Sequence, residues 1–157
     1  MDHRHRRART IPCAAAALVA LAACAGPVTP PDLVTRLADE PTSADSLPGT
    51  LVPVEMDPGS ARRLGELDGV VFYAGSGTRD GEDLVCLVVA LPGDTPTGDS
   101  GASTCGPVTD LDDADLPLAV QMSGVRVTAT LVPDGLPTDG GLTRVTPNLA
   151  AAVDRTP

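Results

Sequence analysis

Ser100 stands in the run Gly98, Asp99, Ser100, Gly101, a setting that suits a nucleophilic serine on a tight loop. An attacking hydroxyl of that kind needs a base within hydrogen-bond reach to take its proton. Asp110, Asp112, Asp113 and Asp115 crowd together a few residues on, and hard cations such as calcium bind several such oxygens at alternating positions. Arg62 and Arg63 could hold an anion, and Cys86 and Cys105 could form a structural disulfide or a redox pair. Any two of the many carboxylates could in principle work as acid and base in glycoside hydrolysis.

What the chain lacks narrows these options. It has no Trp, all 11 of its basic residues are arginine, and its only histidines are His3 and His5. Both lie in an opening that carries Arg4, Arg6, Arg7 and Arg9 and runs into an uncharged apolar stretch from Ile11 to Ala23. A basic start followed by such a stretch predicts a signal peptide. The apolar part is shorter than the roughly 20 residues a membrane-spanning helix needs, and Pro12 disturbs its first turn. It ends in Leu21, Ala22, Ala23, Cys24, an aliphatic residue and two small ones before a cysteine, which is the lipobox pattern. The expectation is cleavage before Cys24 and attachment of lipid to that thiol. Two or more acyl chains give stable membrane anchoring. The remainder is then expected at the outer face of the plasma membrane.

On that reading, residues 1–23 are signal peptide and the mature chain contains neither His nor Lys. It can run no Ser/His/Asp or Cys/His relay, hold no His-ligated zinc, form no lysine Schiff base and use no phosphate-loop lysine. Ser100 therefore has no imidazole to activate it, and the chain is too short for the double barrel of the trypsin-like proteases whose signature its neighbours spell. The aspartates also miss calcium-loop spacing, since counting from Asp110 the fifth position is Ala114 and the sixth is Asp115, where a turn glycine is wanted. No metal and no cofactor is expected. Phe72 and Tyr73 are the only aromatics, so no stacking platform for sugars or single strands can be assembled.

The mature chain would hold 7 basic and 20 acidic residues, a net charge of −13. A field of that sign repels phosphate backbones and anionic headgroups, so no nucleic-acid partner is expected and the body is expected to stand off the membrane, which leaves the membrane through lipid on Cys24 and an envelope protein as expected partners. With Cys13 discarded and Cys24 lipidated, Cys86 and Cys105 remain as a pair in an oxidising compartment, expected to be bonded. Cys86 lies inside an apolar run, which favours a structural bond over a redox one.

The elements that must position these residues are read as follows. Residues 24–49, rich in Pro, Thr, Ala and Asp, read as a lipid-anchored flexible tether with at most a turn or two of helix over Asp32 to Glu40. A single domain is expected over 50–148, with 149–157 a loose tail. Leu51, Val52 and Val54 suggest a short strand, and Asp57 and Pro58 the cap and first turn of a helix that turns Leu64 and Leu67 inward. Val70 to Ala74 predicts an apolar strand between turns at Asp68–Gly69 and Asp80–Gly81, with 75–83 as a polar tip.

Leu84 to Leu91 is eight apolar residues in a row, the pattern of a strand covered on both faces. Pro92 to Thr104 reads as the longest loop in the domain and the best place for a partner to bind, at the opposite end of that strand from the 75–83 tip. A short helix is expected over Thr109 to Asp115. Leu118 to Gln121 and Val125 to Val132 predict a hairpin turned by Ser123 and Gly124, and Leu142 to Thr146 a last strand. The sum is an α+β domain built mainly on one antiparallel sheet of four to five strands, with one or two short helices, one disulfide and no internal repeat.

From Asp68 to Pro147 the chain resembles small lipoproteins of high-GC Gram-positive (actinobacterial) bacteria. The features that carry the resemblance are an aromatic strand after Asp-Gly, the stretch Val85, Cys86, Leu87, Val88, Val89, a second cysteine about 20 residues later, and Val132, Pro133, Asp134, Gly135. It implies a coherent fold and the disulfide, and it brings no activity with it. The expected role is a non-catalytic binding or structural module of the envelope, with a small hydrolase using carboxylates or Ser100 as the alternative.

Overall fold

The computed structural model describes residues 26–47, 51–93, 99–111, 114–122, 124–137 and 141–155. Among the described residues, eight strands form two four-stranded antiparallel sheets, where one sheet was expected. The first holds β1 (Arg62–Leu67), β2 (Val70–Arg79), β3 (Glu82–Leu91) and β4 (Ser100–Pro107) in chain order. The second holds β5 (Leu116–Met122), β6 (Val125–Leu131), β7 (Thr143–Thr146) and β8 (Leu149–Arg155), in the order β5-β6-β8-β7. Outside the sheets, the described residues hold two α-helices of one turn each, α1 (Pro30–Leu33) and α2 (Val108–Leu111). The protein is mostly β, and none of its described helices is long and apolar enough to cross a membrane.

The two sheets face each other because each strand offers them one apolar side. Phe72 and Ala74 of β2 and Val85, Leu87 and Val89 of β3 meet Val127 and Ala129 of β6 and Leu149 and Ala151 of β8 in one buried cluster. The period-2 alternation of β6 works as its sequence suggests, with Val125, Val127, Ala129 and Leu131 buried and Arg126 exposed. Thr130 departs from it and is buried, its hydroxyl turned to Asp115 at 3.4 Å.

The other face of the first sheet is covered too. Val71, Tyr73, Cys86, Val88 and Ala90 pack under Leu47, Leu51, Met56 and Ala61. That double cover is why Leu84 to Ala90 are all buried and why this strand shows no polar alternation.

Both Asp-Gly turns in the first sheet have positive φ at both residues: +49° and +77° at Asp68–Gly69, +54° and +84° at Asp80–Gly81. This is the two-residue turn whose twist matches a hairpin. The register is fixed accordingly, with Leu67 opposite Val70 and Arg79 opposite Glu82. β2 consequently runs through the stretch expected as a polar tip.

Several expectations are corrected. Residues 30–47 do not form a tether: Leu33, Val34 and Leu37 lie in the main core and Asp45 is buried. The ends of the domain move outward again at 149–155, where the expected tail is β8, an inner strand with Leu149, Ala150 and Ala151 fully buried. Alanine-rich sequence gives that strand little hydrophobic contrast, and its pairing with β6 on one side and β7 on the other defines it instead.

Leu51, Val52 and Val54 form no strand. Val54 is fully exposed, and only Met56 bridges to Gly77. The helix expected from Pro58 stops after one 3-10 turn, Pro58–Ser60, and Arg62 to Leu67 is β1. Asp57 does cap that turn, accepting from Gly59 N at 2.9 Å. The long loop shortens as well, because Ser100 to Thr104 belong to β4 and pair with β3.

Candidate functional site

Cys24, the expected lipid attachment point, lies outside the described residues, as do Gly98, Asp112, Asp113 and Ser123. Ser100 opens β4 opposite Leu91, and the carboxylate of Asp99 beside it accepts from Gly93 N at 3.1 Å. That carboxylate secures the return of the chain into β4. Asp110 is exposed on α2, while Asp115 faces Thr130. No group of His, Cys, Asp and Glu among the described residues is arranged to hold a metal ion.

Cys86 and Cys105 are directly opposite in the β3–β4 register and form the expected disulfide, with Cα atoms 4.0 Å apart. The bond ties a central strand to an edge strand beneath the covering segment. Cys86 is fully buried, which leaves no open face for exchange with an external thiol at that sulfur.

Arg62 and Arg63 separate in role. Arg62 is buried and donates to the carbonyls of Asp39 at 2.8 Å, Ala61 at 2.8 Å and Gly59 at 3.1 Å. Arg63 pairs with Glu66 at 2.6 Å. Neighbouring strand residues point to opposite faces, so the two guanidinium groups cannot converge on one anion.

The groups that do converge were not singled out in the sequence. Asp45 is buried beside β1, and its carboxylate accepts from Thr42 N, Thr42 Oγ1 and Arg63 N, each at 2.7 Å, and from Arg36 at 3.0 Å. Burial pushes this carboxyl up, but those donors and the Arg36 charge together hold it below the ordinary range. Asp134 plays the same part at the other end of the segment. It accepts from Thr35 N at 2.7 Å, from the Thr35 hydroxyl and from Asn148 at 2.8 Å, and its own N–H donates to Leu33 O at 2.7 Å. Burial opposes ionisation there as well, and the Thr35 and Asn148 bonds outweigh it. The Val132–Gly135 motif is thus the clasp that fastens residues 33–35. Its legible signal was an Asp-Gly after a strand, which marks a turn but not the partner.

Two concavities border this segment. One, of about 310 Å³, opens between Arg36 and Asp39 on one side and Leu64, Thr146, Pro147 and Asn148 on the other. Arg36 is fully engaged there by Asp39 at 2.6 Å and by Asp45, and Thr146 Oγ1 is buried without a partner. The other is a broader groove of about 510 Å³, walled by Pro30, Pro31, Val54, Glu55 and Thr78 among others. Glu55 pairs with Arg79 at 3.0 Å, and Asp57 on the same groove is used as the cap. Both can exchange hydrogen bonds with a ligand, and the larger is also lined by Ser76, Thr78 and Asp83. No family model, curated protein or solved structure matches the chain.

Proposed function

We propose that this chain is a lipoprotein anchored through Cys24 to the outer face of the plasma membrane, whose β-sandwich works by binding or by structural presence and not by catalysis. The observation that carries the reading is the order of its first 24 residues: four arginines, an uncharged apolar stretch too short to span, then Leu21, Ala22, Ala23, Cys24. The resemblance to actinobacterial lipoproteins is of the same kind. The non-catalytic half draws support from the mature chain's lack of His and Lys, and from concavities in which Arg36, Asp39, Glu55 and Asp57 are engaged in internal pairs and a cap.

The test has two arms. In cells fed an alkyne fatty acid, the wild-type chain should take up label and Cys24→Ala should take up none; equal labelling of both refutes the anchor. A broad hydrolase screen on the purified chain should give no turnover. Turnover abolished by Ser100→Ala would establish the hydrolase alternative.

A further inference from the structure

The fold fixes how much free chain separates Cys24 from the body of the domain. Pro30 is buried in α1, Leu33 and Val34 follow it into the core, and the Thr29–Asp32 capping box holds the approach. Only six residues lead from Cys24 to Pro30, and at about 3.5 Å each they reach no further than roughly 20 Å. A 25-residue tether would leave the domain free to turn; six residues do not.

Which end of the sandwich this places near the lipid follows from the registers. α1 is joined by Leu33 O to Asp134, just past the end of β6, and packs with α2, which follows the Pro107 that pairs with Leu84. Pro30 and Pro31 share the wall of one groove with Thr78 and Asp83 of the β2–β3 hairpin. The α1 end therefore includes the Asp80–Gly81 turn. The far end holds Leu91, the Asp68–Gly69 turn, Gly124 and Arg155, which donates to Asp68 O and pairs with Val125. Ten-residue β3 runs between the two ends, a length of about 33 Å.

The α1 end also carries both of the large hydrophobic side chains that stand exposed among the described residues. Val54 is on the groove wall, and Val28 lies two residues before Pro30. Val54 is fully exposed and Val28 is 40% exposed. We propose, resting on the Cys24 anchor, that the α1 end is the face the domain turns to the bilayer, with Val28 and Val54 as its apolar contacts, and that the Gly124 end points away. Asp80, Glu82 and Asp83 are exposed near that face and repel anionic headgroups. Their repulsion is screened over about 8 Å at physiological ionic strength, so it weakens the contact of this face with anionic lipid and does not reverse the orientation that the short tether sets.

The experiment uses the full lipidated chain in phosphatidylcholine vesicles that carry an energy-transfer acceptor on a fraction of the headgroups. A donor is placed through a clickable side chain at position 54, 82 or 126, which leaves Cys24 and the disulfide untouched. Transfer should be several-fold more efficient from 54 and 82 than from 126. Equal transfer from the two ends, or stronger transfer from 126, in a vesicle-bound chain overturns the orientation while leaving the anchor standing. A wild-type chain that fails to float with vesicles overturns both.

Discussion

Replacing Asp45 with Asn keeps the side chain's shape and removes its charge. The native carboxylate is 2% exposed and accepts four hydrogen bonds, from Thr42 N, Thr42 Oγ1, Arg63 N and Arg36. An amide has one accepting oxygen and turns an NH2 towards donors, so at least two of those four are left facing a donor or nothing. Hydrogen bonds to charged groups are worth about 1.5–3 kcal/mol each, with part of the loss recovered by local water, and a total near 3 kcal/mol is expected. At about 3–4 °C per kcal/mol for a domain of this size, the melting temperature at pH 7 should fall by roughly 10 °C.

The pH dependence gives a second readout. Asp45 is held below its ordinary pKa when folded, so its contribution is present in full above the unfolded carboxyl pKa and is lost as pH falls through the lower folded value. The gap between wild type and Asp45→Asn should therefore close as the pH is lowered below the unfolded carboxyl range, about 4. Melting followed by circular dichroism at several pH values measures both. A variant that melts with the wild type at pH 7, or a gap that stays constant into acid, would refute the idea that this carboxylate fastens residues 36–45 to β1.

Asp134→Ala should cost about 2 kcal/mol by leaving Thr35 N–H without its acceptor and the Asn148 amide with Val132 O alone, and should expose the α1 region to limited proteolysis before global unfolding. Reducing the Cys86–Cys105 bond, or the double change to Ala, should lower stability in urea by about 3 kcal/mol for a loop of 19 residues, with β4 the first strand to gain amide exchange. Gly77→Ala should destabilise by at least 1–3 kcal/mol, since a Cβ there would stand 2.8 Å from Met56 Cα; a wild-type urea midpoint would mean that the 54–57 crossing is loose.

Much of the strand layout was legible because it rests on short-range physics. The two Asp-Gly pairs specify their own turns, the run Leu84 to Leu91 announces a doubly covered strand, and Val125 to Leu131 alternates because one side is wet. The element covering the outer face of that run was not legible. Leu47, Leu51, Met56 and Ala61 come from irregular chain with no period, and their place is set by close approach. Gly75 and Gly77 read as a polar tip in sequence. In the fold they are strand positions kept bare so that Glu55 O can take Thr78 N at 3.1 Å, and Asp57 N can reach Ser76 O at 2.9 Å.

Residues 30–47 misled for a related reason. Three prolines and three aspartates suggest a solvated linker, yet Leu33, Val34 and Leu37 bury, Asp45 takes Arg63 N from 18 residues away, and Thr35 is held by Asp134, 99 residues away. β8 was missed because Ala150 to Ala152 lack the β-branched signal that marks a strand. Of the candidate chemistry, the disulfide was legible from cysteine parity once Cys13 and Cys24 are set aside. The concavity at Arg36, Thr146 and Asn148 was not, because it is assembled from segments about 110 residues apart and none of them carries a motif.

The central claim is the lipid on Cys24, and intact mass analysis of the chain purified from the membrane fraction tests it most directly. The account predicts that the amino-terminal peptide begins at Cys24 and carries a thioether-linked diacylglycerol, with or without a further acyl group on the amine. A chain that retains residues 1–23, or one that begins elsewhere with an unmodified Cys24, would contradict it.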